Sequence, residues 1–200
     1  MKIIVIGATG TLGRAVVAEL GQDNEVISVG LTHGELQVDL TRDESVEALF
    51  AQTGRVDAII ATTGSLFFGP LTAMRAEDFA SGLNDKLLGQ VRLSLIGQHY
   101  LNDGGSITLT SGIIGSEPIA QGVNATAVNA ALEGFVRAAA CELPRGLRIN
   151  VVSPTVLRES VEKYGAFFPG FESVPAARAA LAYRRSVYGV QTGRTFTVGY

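Results

Sequence analysis

The chain is poor in cysteine. Cys141 stands alone among 200 residues, so no internal disulfide can form and a reducing, cytoplasmic setting is expected. It falls in an apolar, Ala-rich stretch, which predicts a buried structural thiol rather than a nucleophile. An excess of positive charge is also missing. Sixteen Lys and Arg stand against 19 Asp and Glu, the net charge is −3, and the basic residues are scattered, which argues against nucleic-acid binding. No apolar run is long enough to cross a bilayer, and no membrane partner is expected. Strand-like sequence starts at Lys2, so no signal peptide is expected. No metal site is expected either. Repeats, low-complexity tracts and linkers are absent, which points to one domain over 1–200. What is plentiful is apolar: 46% of residues are hydrophobic and 18% charged, the balance of a compact domain with a sizeable core.

Strand-like and helix-like runs alternate along the chain. Lys2–Ile6 reads as a strand, and Thr11–Leu20 as a helix with Leu12, Val16, Val17 and Leu20 on one face. Strands follow at 25–29 and 36–38, then an acidic helix at 43–52. Val56–Ala61 is nearly all apolar and reads as a strand buried on both sides. A long helix is predicted over 76–101, a strand over 106–110 after an Asn-Asp-Gly-Gly turn, and a helix over 124–143 that stops at Pro144. Strand 147–152, helix 174–188 and strand 194–198 complete the pattern. Strands separated by helices imply α/β architecture: a doubly wound, Rossmann-type parallel sheet with helices on both faces. The irregular GAFFPGFESV (165–174), within 155–175, reads as a lid.

The first strand–turn–helix carries Gly7, Gly10 and Gly13. In a dinucleotide-binding turn the first glycine permits the bend, the second lets the backbone approach a pyrophosphate, and the third lets helix and sheet pack closely. Amides at the helix start, over Thr11, Leu12 and Gly13, then face the phosphates, with Thr9 and Thr11 adding hydroxyls. The other reading is an ordinary strand–turn–helix, but the turn's position after a first strand favours the cofactor. The second strand ends in Ser28-Val29-Gly30-Leu31-Thr32-His33, with neither an acid to bind a ribose 2′-hydroxyl nor an Arg to clamp a 2′-phosphate. Thr32, with His33, is the candidate phosphate contact. NADP is therefore the expected cofactor, with NAD as the alternative; His33 also reads as a plain solvated loop residue.

Further markers arrive in order. They are Val38-Asp39-Leu40, Ala61-Thr62-Thr63-Gly64, Asn84 in GLNDKLLGQ, Gly105–Gly112, Ala130–Phe135, Arg148–Pro154 and Thr192-Gly193. Together with the glycine turn, this series resembles the short-chain dehydrogenase/reductase family over nearly the whole chain. The resemblance implies an oxidoreductase acting on a small carbonyl or alcohol substrate. Asp39 and Leu40 would meet the adenine, and Thr63, Gly64 and Pro154 would line the cofactor. Asp39 also reads as a turn residue. Asn84 and Ser111 would serve in catalysis.

That family uses a Tyr and a Lys four residues apart, the Tyr moving a proton and the Lys lowering its pKa and holding the nicotinamide ribose. Here those places hold Ala125 and Asn129, and no Tyr or Lys lies between Gly115 and Leu132. A missing general acid costs roughly 10²–10⁴-fold in rate. Asn129 retains hydrogen-bonding capacity toward a ribose hydroxyl. Lys86 lies two positions after Asn84, about 200° around a helix, so the two cannot both face the site; Lys86 is read as the solvated one. Tyr164 reads as a replacement phenol or as lid wall. The competing function is a non-catalytic NADP(H) sensor. Helices 76–101 and 124–143 are those by which the family dimerises, so a homodimer or homotetramer is expected.

Overall fold

A computed structural model describes all 200 residues. Seven parallel strands run in the order β3-β2-β1-β4-β5-β6-β7. They are β1 (Lys2–Ile6), β2 (Glu25–Gly30), β3 (Leu36–Gln37), β4 (Val56–Ala61), β5 (Leu101–Thr110), β6 (Arg148–Pro154) and β7 (Thr195–Val198). The α/β, doubly wound reading of the sequence holds. Side chains alternate across the sheet, as a two-residue period demands. Ile3 and Val5 of β1 pack with Leu12, Val16 and Leu20 of α1 (Thr11–Leu20) and with Ala179, Tyr183 and Val187 of α7 (Ala176–Tyr188). Ile4 and Ile6 face the other layer, with Val46 and Phe50 of α2 (Asp43–Thr53), Leu93 of α4 (Leu88–Gly97) and Val128, Leu132 and Val136 of α5 (Val123–Ala139). All of these side chains are buried, at about 1.5–3 kcal/mol for each large one, so the two apolar layers carry most of the stabilisation.

Five buried polar side chains between α7 and the sheet are paired, whereas the Ser106 hydroxyl has no partner. Thr108 Oγ1 lies 2.7 Å from Ser186 Oγ, Asn150 Nδ2 donates to Ser186 Oγ, and Thr110 Oγ1 lies 2.6 Å from the Tyr183 hydroxyl. Burial pushes the Tyr183 phenol up, so it stays neutral and structural.

Three sequence expectations need correction. The predicted helix 76–101 is α3 (Ala76–Gly82), a π-helical turn (Leu83–Leu87) and α4, and β5 starts at Leu101. The predicted helix 124–143 stops at Ala139, so Cys141 lies beyond it and is exposed, not buried. Residues 165–174 are irregular as read, apart from one 3₁₀ turn at Gly165–Phe167, and belong to the segment 155–175. It holds α6 (Val161–Tyr164) between two 3₁₀ turns, pinned where Thr155 Oγ1 donates to the Glu172 carbonyl and the Glu159 carboxylate accepts from the Ala176 amide. Finally, Lys86 is buried rather than solvated.

Candidate active site

Sheet order reverses between β1 and β4, and the crevice beyond their carboxyl ends is where α/β sheets take ligands. The glycine turn sits there. Gly7 closes the strand with its amide donating to the Val29 carbonyl at 2.8 Å, and the Gly10 amide donates to the Gly7 carbonyl at 3.0 Å. A Cβ on Gly13 would overlap the Gly7 carbonyl oxygen, so only glycine lets α1 start this close to the turn. No side chain caps α1, and the amides of Thr11, Leu12 and Gly13 have no acceptor within the protein. Three free amides at a positive helix end, with Thr9 and Gly10 exposed beside them, form a cradle for a diphosphate. The nicotinamide dinucleotide implied by this fold therefore fits the residues present.

Where β2 ends, Thr32 and His33 are exposed, and Thr32 Oγ1 lies 2.8 Å from His33 Nδ1. Asp39 uses Oδ1 within its own turn, accepting from the Thr41 amide at 2.9 Å and the Thr41 hydroxyl at 2.6 Å. Those two hydrogen bonds hold its carboxyl below the usual carboxylate range. Leu40 is buried against Gly89.

Next to the crevice lies a cavity of about 470 Å³. Gly64, Lys86, Ser111, Asn129 and Pro154 line it together with a wall of apolar residues that includes Leu66, Phe68, Ile113, Ile114, Leu157 and Phe168. Tyr164 joins that wall, its ring 6.3 Å from Phe68. Asn129 is 1% exposed, and its Oδ1 has no partner within the protein. A buried, unpaired acceptor costs roughly 1–3 kcal/mol until a donor arrives. Ser111 is buried, and its hydroxyl donates to Glu133 Oε1 at 2.9 Å. Gly112 also borders the cavity, close to the Asn129 amide nitrogen. Ala125 is fully buried in a cluster with Ile113 and Ile114.

Asn84 stands exposed and outside the cavity, whereas Lys86 is 7% exposed and lines it. The two do diverge around the helix, and the π turn gives the inward place to the lysine. Lys86 Nζ donates to the Ser111 carbonyl at 3.2 Å. Its stem lies against Gly64, whose φ is +129°; a Cβ there would come within 2.5 Å of Lys86 Cγ. Burial lowers the ammonium pKa from the ordinary 10.5 to about 8. One turn later, Gln90 is fully buried and bridges two strand ends. Nε2 donates to the Thr63 and Thr110 carbonyls, and Oε1 accepts from the Thr110 amide. Asn124 likewise ties three segments, accepting from the Phe67 amide and donating to the Phe79 carbonyl. Sequence reasoning missed all three roles.

The family model described as "Enoyl-(Acyl carrier protein) reductase" matches residues 6–188. The solved protein lin1944 from Listeria innocua is 48% identical, covers 99% of both chains and superposes with a TM-score of 0.97. A small-chain dehydrogenase solved in complex with NADPH is 25% identical over 99% of this chain and 96% of its own, with a TM-score of 0.87. An uncharacterized oxidoreductase of Mycobacterium tuberculosis is 27% identical over 188 residues, covering 82% of this chain and 70% of the relative. A 3-oxoacyl-(acyl-carrier-protein) reductase of Buchnera aphidicola is 25% identical over 181 residues, 78% of this chain and 74% of the relative. With the parallel sheet, the glycine turn at its switch point and a match over most of its length, this chain belongs to the short-chain dehydrogenase/reductase family of oxidoreductases.

Proposed function

We propose that the chain binds NADP(H), with NAD(H) as the weaker alternative, and transfers hydride to or from a small carbonyl or alcohol substrate. The observation that carries this reading is the cradle of free amides at the switch point, one crevice away from the unpaired Asn129 oxygen. Gly7, Thr9, Gly10, Thr11, Leu12 and Gly13 hold the diphosphate; Thr32 lies nearest the 2′ position, and Asp39 and Leu40 flank the adenine. Thr63, Gly64, Asn129 and Pro154 take the nicotinamide half, where Asn129 Oδ1 accepts from a ribose hydroxyl. When bound, the nicotinamide supplies or accepts the hydride. A relative solved with NADPH supports this cofactor class.

The centre is degenerate. Ala125 stands where the family has its Tyr, so the family's usual proton route is missing. Ser111 keeps a place at the cavity, but its hydroxyl proton is committed to Glu133. Asn84 is exposed and lies outside the cavity. The fully buried Ala125 also favours a second reading, a dinucleotide sensor without turnover. Residues 155–175 would close over either ligand. A groove lined by Leu95, Gln98, Phe135, Ala138 and Ala139, between α4 and α5, is the face through which we expect a homodimer or homotetramer.

Calorimetry with NADPH and NADH, followed by a carbonyl panel, tests the reading. Heat with NADPH and turnover are expected. Binding without turnover selects the sensor, and no heat from folded protein with either dinucleotide ends both.

A further inference from the structure

We propose that Lys86 is the proton donor of this site: its ammonium meets the oxygen of a carbonyl substrate whose apolar body lies against Leu66, Ile113, Ile114 and Phe168. The proposal rests on the cofactor reading above and supplies the acid that reading lacks.

The backbone is shaped around this side chain. The π turn at Leu83–Leu87 points Lys86 into the cavity, and π turns recur at functional sites. Gly64 leaves no side chain in the path of the lysine stem. Gln90, one turn on, fixes α4 to the ends of β4 and β5. Such fixing is what a positioned donor needs.

The ammonium has no counterion. None of the seven ion pairs includes Lys86, and no Asp or Glu lines the cavity. The carboxylates on adjoining elements are engaged elsewhere: Asp85 accepts from the Ser65 amide, and Glu133 from the Ser111 hydroxyl. The Tyr164 phenol is the other titratable group on the wall. Lys86 makes one hydrogen bond of a possible three. A buried cation with free donors and no carboxylate paired to it favours an incoming oxygen that gains negative charge.

The step balances with a reduced nicotinamide as co-reactant. Hydride adds to the carbonyl carbon, and the C=O π pair becomes a lone pair on oxygen. The Lys86 Nζ–H bond breaks, its electrons stay on nitrogen, and the proton goes to that oxygen. The products are an alcohol, the oxidised dinucleotide and a neutral amine, which regains a proton from water. A donor titrating near 8 suits this task at neutral pH better than an ordinary lysine at 10.5.

The sequence has three lysines, Lys2, Lys86 and Lys163, which makes the test direct. Protein labelled with ¹³C-lysine gives three Cε signals, assigned with Lys2→Arg and Lys163→Arg. One signal should titrate near pH 8 and be absent from Lys86→Met. Benzoate, an apolar-bodied oxyanion, should raise that midpoint by at least half a pH unit and leave the other two unmoved. Lys86→Met should keep NADPH affinity within threefold and lose about 10²–10⁴-fold in aldehyde reduction. A Lys86 midpoint indifferent to benzoate overturns the proposal. So does wild-type reduction by Lys86→Met, or a tenfold loss of NADPH affinity, which would hand the lysine to the cofactor. If the wild type binds no NADPH, the cofactor reading fails. The benzoate arm, which needs no cofactor and no variant fold, still decides whether Lys86 meets a ligand oxygen.

Discussion

Lys86→Met exchanges a buried ammonium for an apolar side chain of similar length, and its effect on stability has a sign that can be worked out. In the folded protein the ammonium titrates near 8; in the unfolded chain it titrates near the ordinary 10.5. Between those values the unfolded chain binds more protons than the folded one, so stability rises with pH across that window. Below pH 8 the fold carries the full cost of the desolvated charge, about 3 kcal/mol from the gap between the two values. The variant has no such cost. It loses one hydrogen bond to the Ser111 carbonyl, worth about 1 kcal/mol. At pH 7 Lys86→Met should therefore be more stable than wild type by about 2 kcal/mol, and by pH 10.5 the advantage should vanish or reverse. Urea unfolding of both proteins at pH 7, 8, 9 and 10.5 measures it. Tyrosines and the remaining lysines titrate in both proteins, so the difference isolates Lys86. A variant less stable at pH 7, or a difference flat with pH, would show that this ammonium is not desolvated and would refute the reasoning.

Gly13→Ala should destabilise by about 3 kcal/mol and abolish NADPH-induced thermal stabilisation, because its methyl meets the Gly7 carbonyl. Asn129→Leu removes an unpaired buried oxygen, so unfolding in the absence of ligand should show equal or slightly higher stability while NADPH affinity falls about tenfold. Ala125→Tyr with Asn129→Lys should lower the melting temperature by about 2–10 °C, since Ile113 and Ile114 pack around Ala125. Light scattering at micromolar concentration should give at least twice the 21.0 kDa protomer mass; a monomer would contradict the proposed α4–α5 face.

Local chemistry made much of the fold legible. The β1–turn–α1 unit is written in Ile3–Ile6 and three spaced glycines, and it folds as read because each requirement concerns neighbours in sequence. The doubly wound parallel class follows from alternation and the handedness of crossovers. The site was less legible. Reading 76–101 as an uninterrupted helix leaves open which of Asn84 and Lys86 turns inward, and one wider turn at Leu83–Leu87 settles it. That choice depends on packing with Gly64 and Gln90, which are remote in sequence or hidden by polarity. Cys141 was misplaced because Pro144 suggested the helix end, whereas α5 already stops at Ala139.

Because the Gln90 amide holds the ends of two neighbouring strands and sits directly below the lysine turn, the mouth of the crevice is a single stiff wall. Guests arriving on either side meet a surface already ordered, so little entropy is lost in shaping it. Shortening that side chain to alanine would loosen both entrances at once without touching either guest.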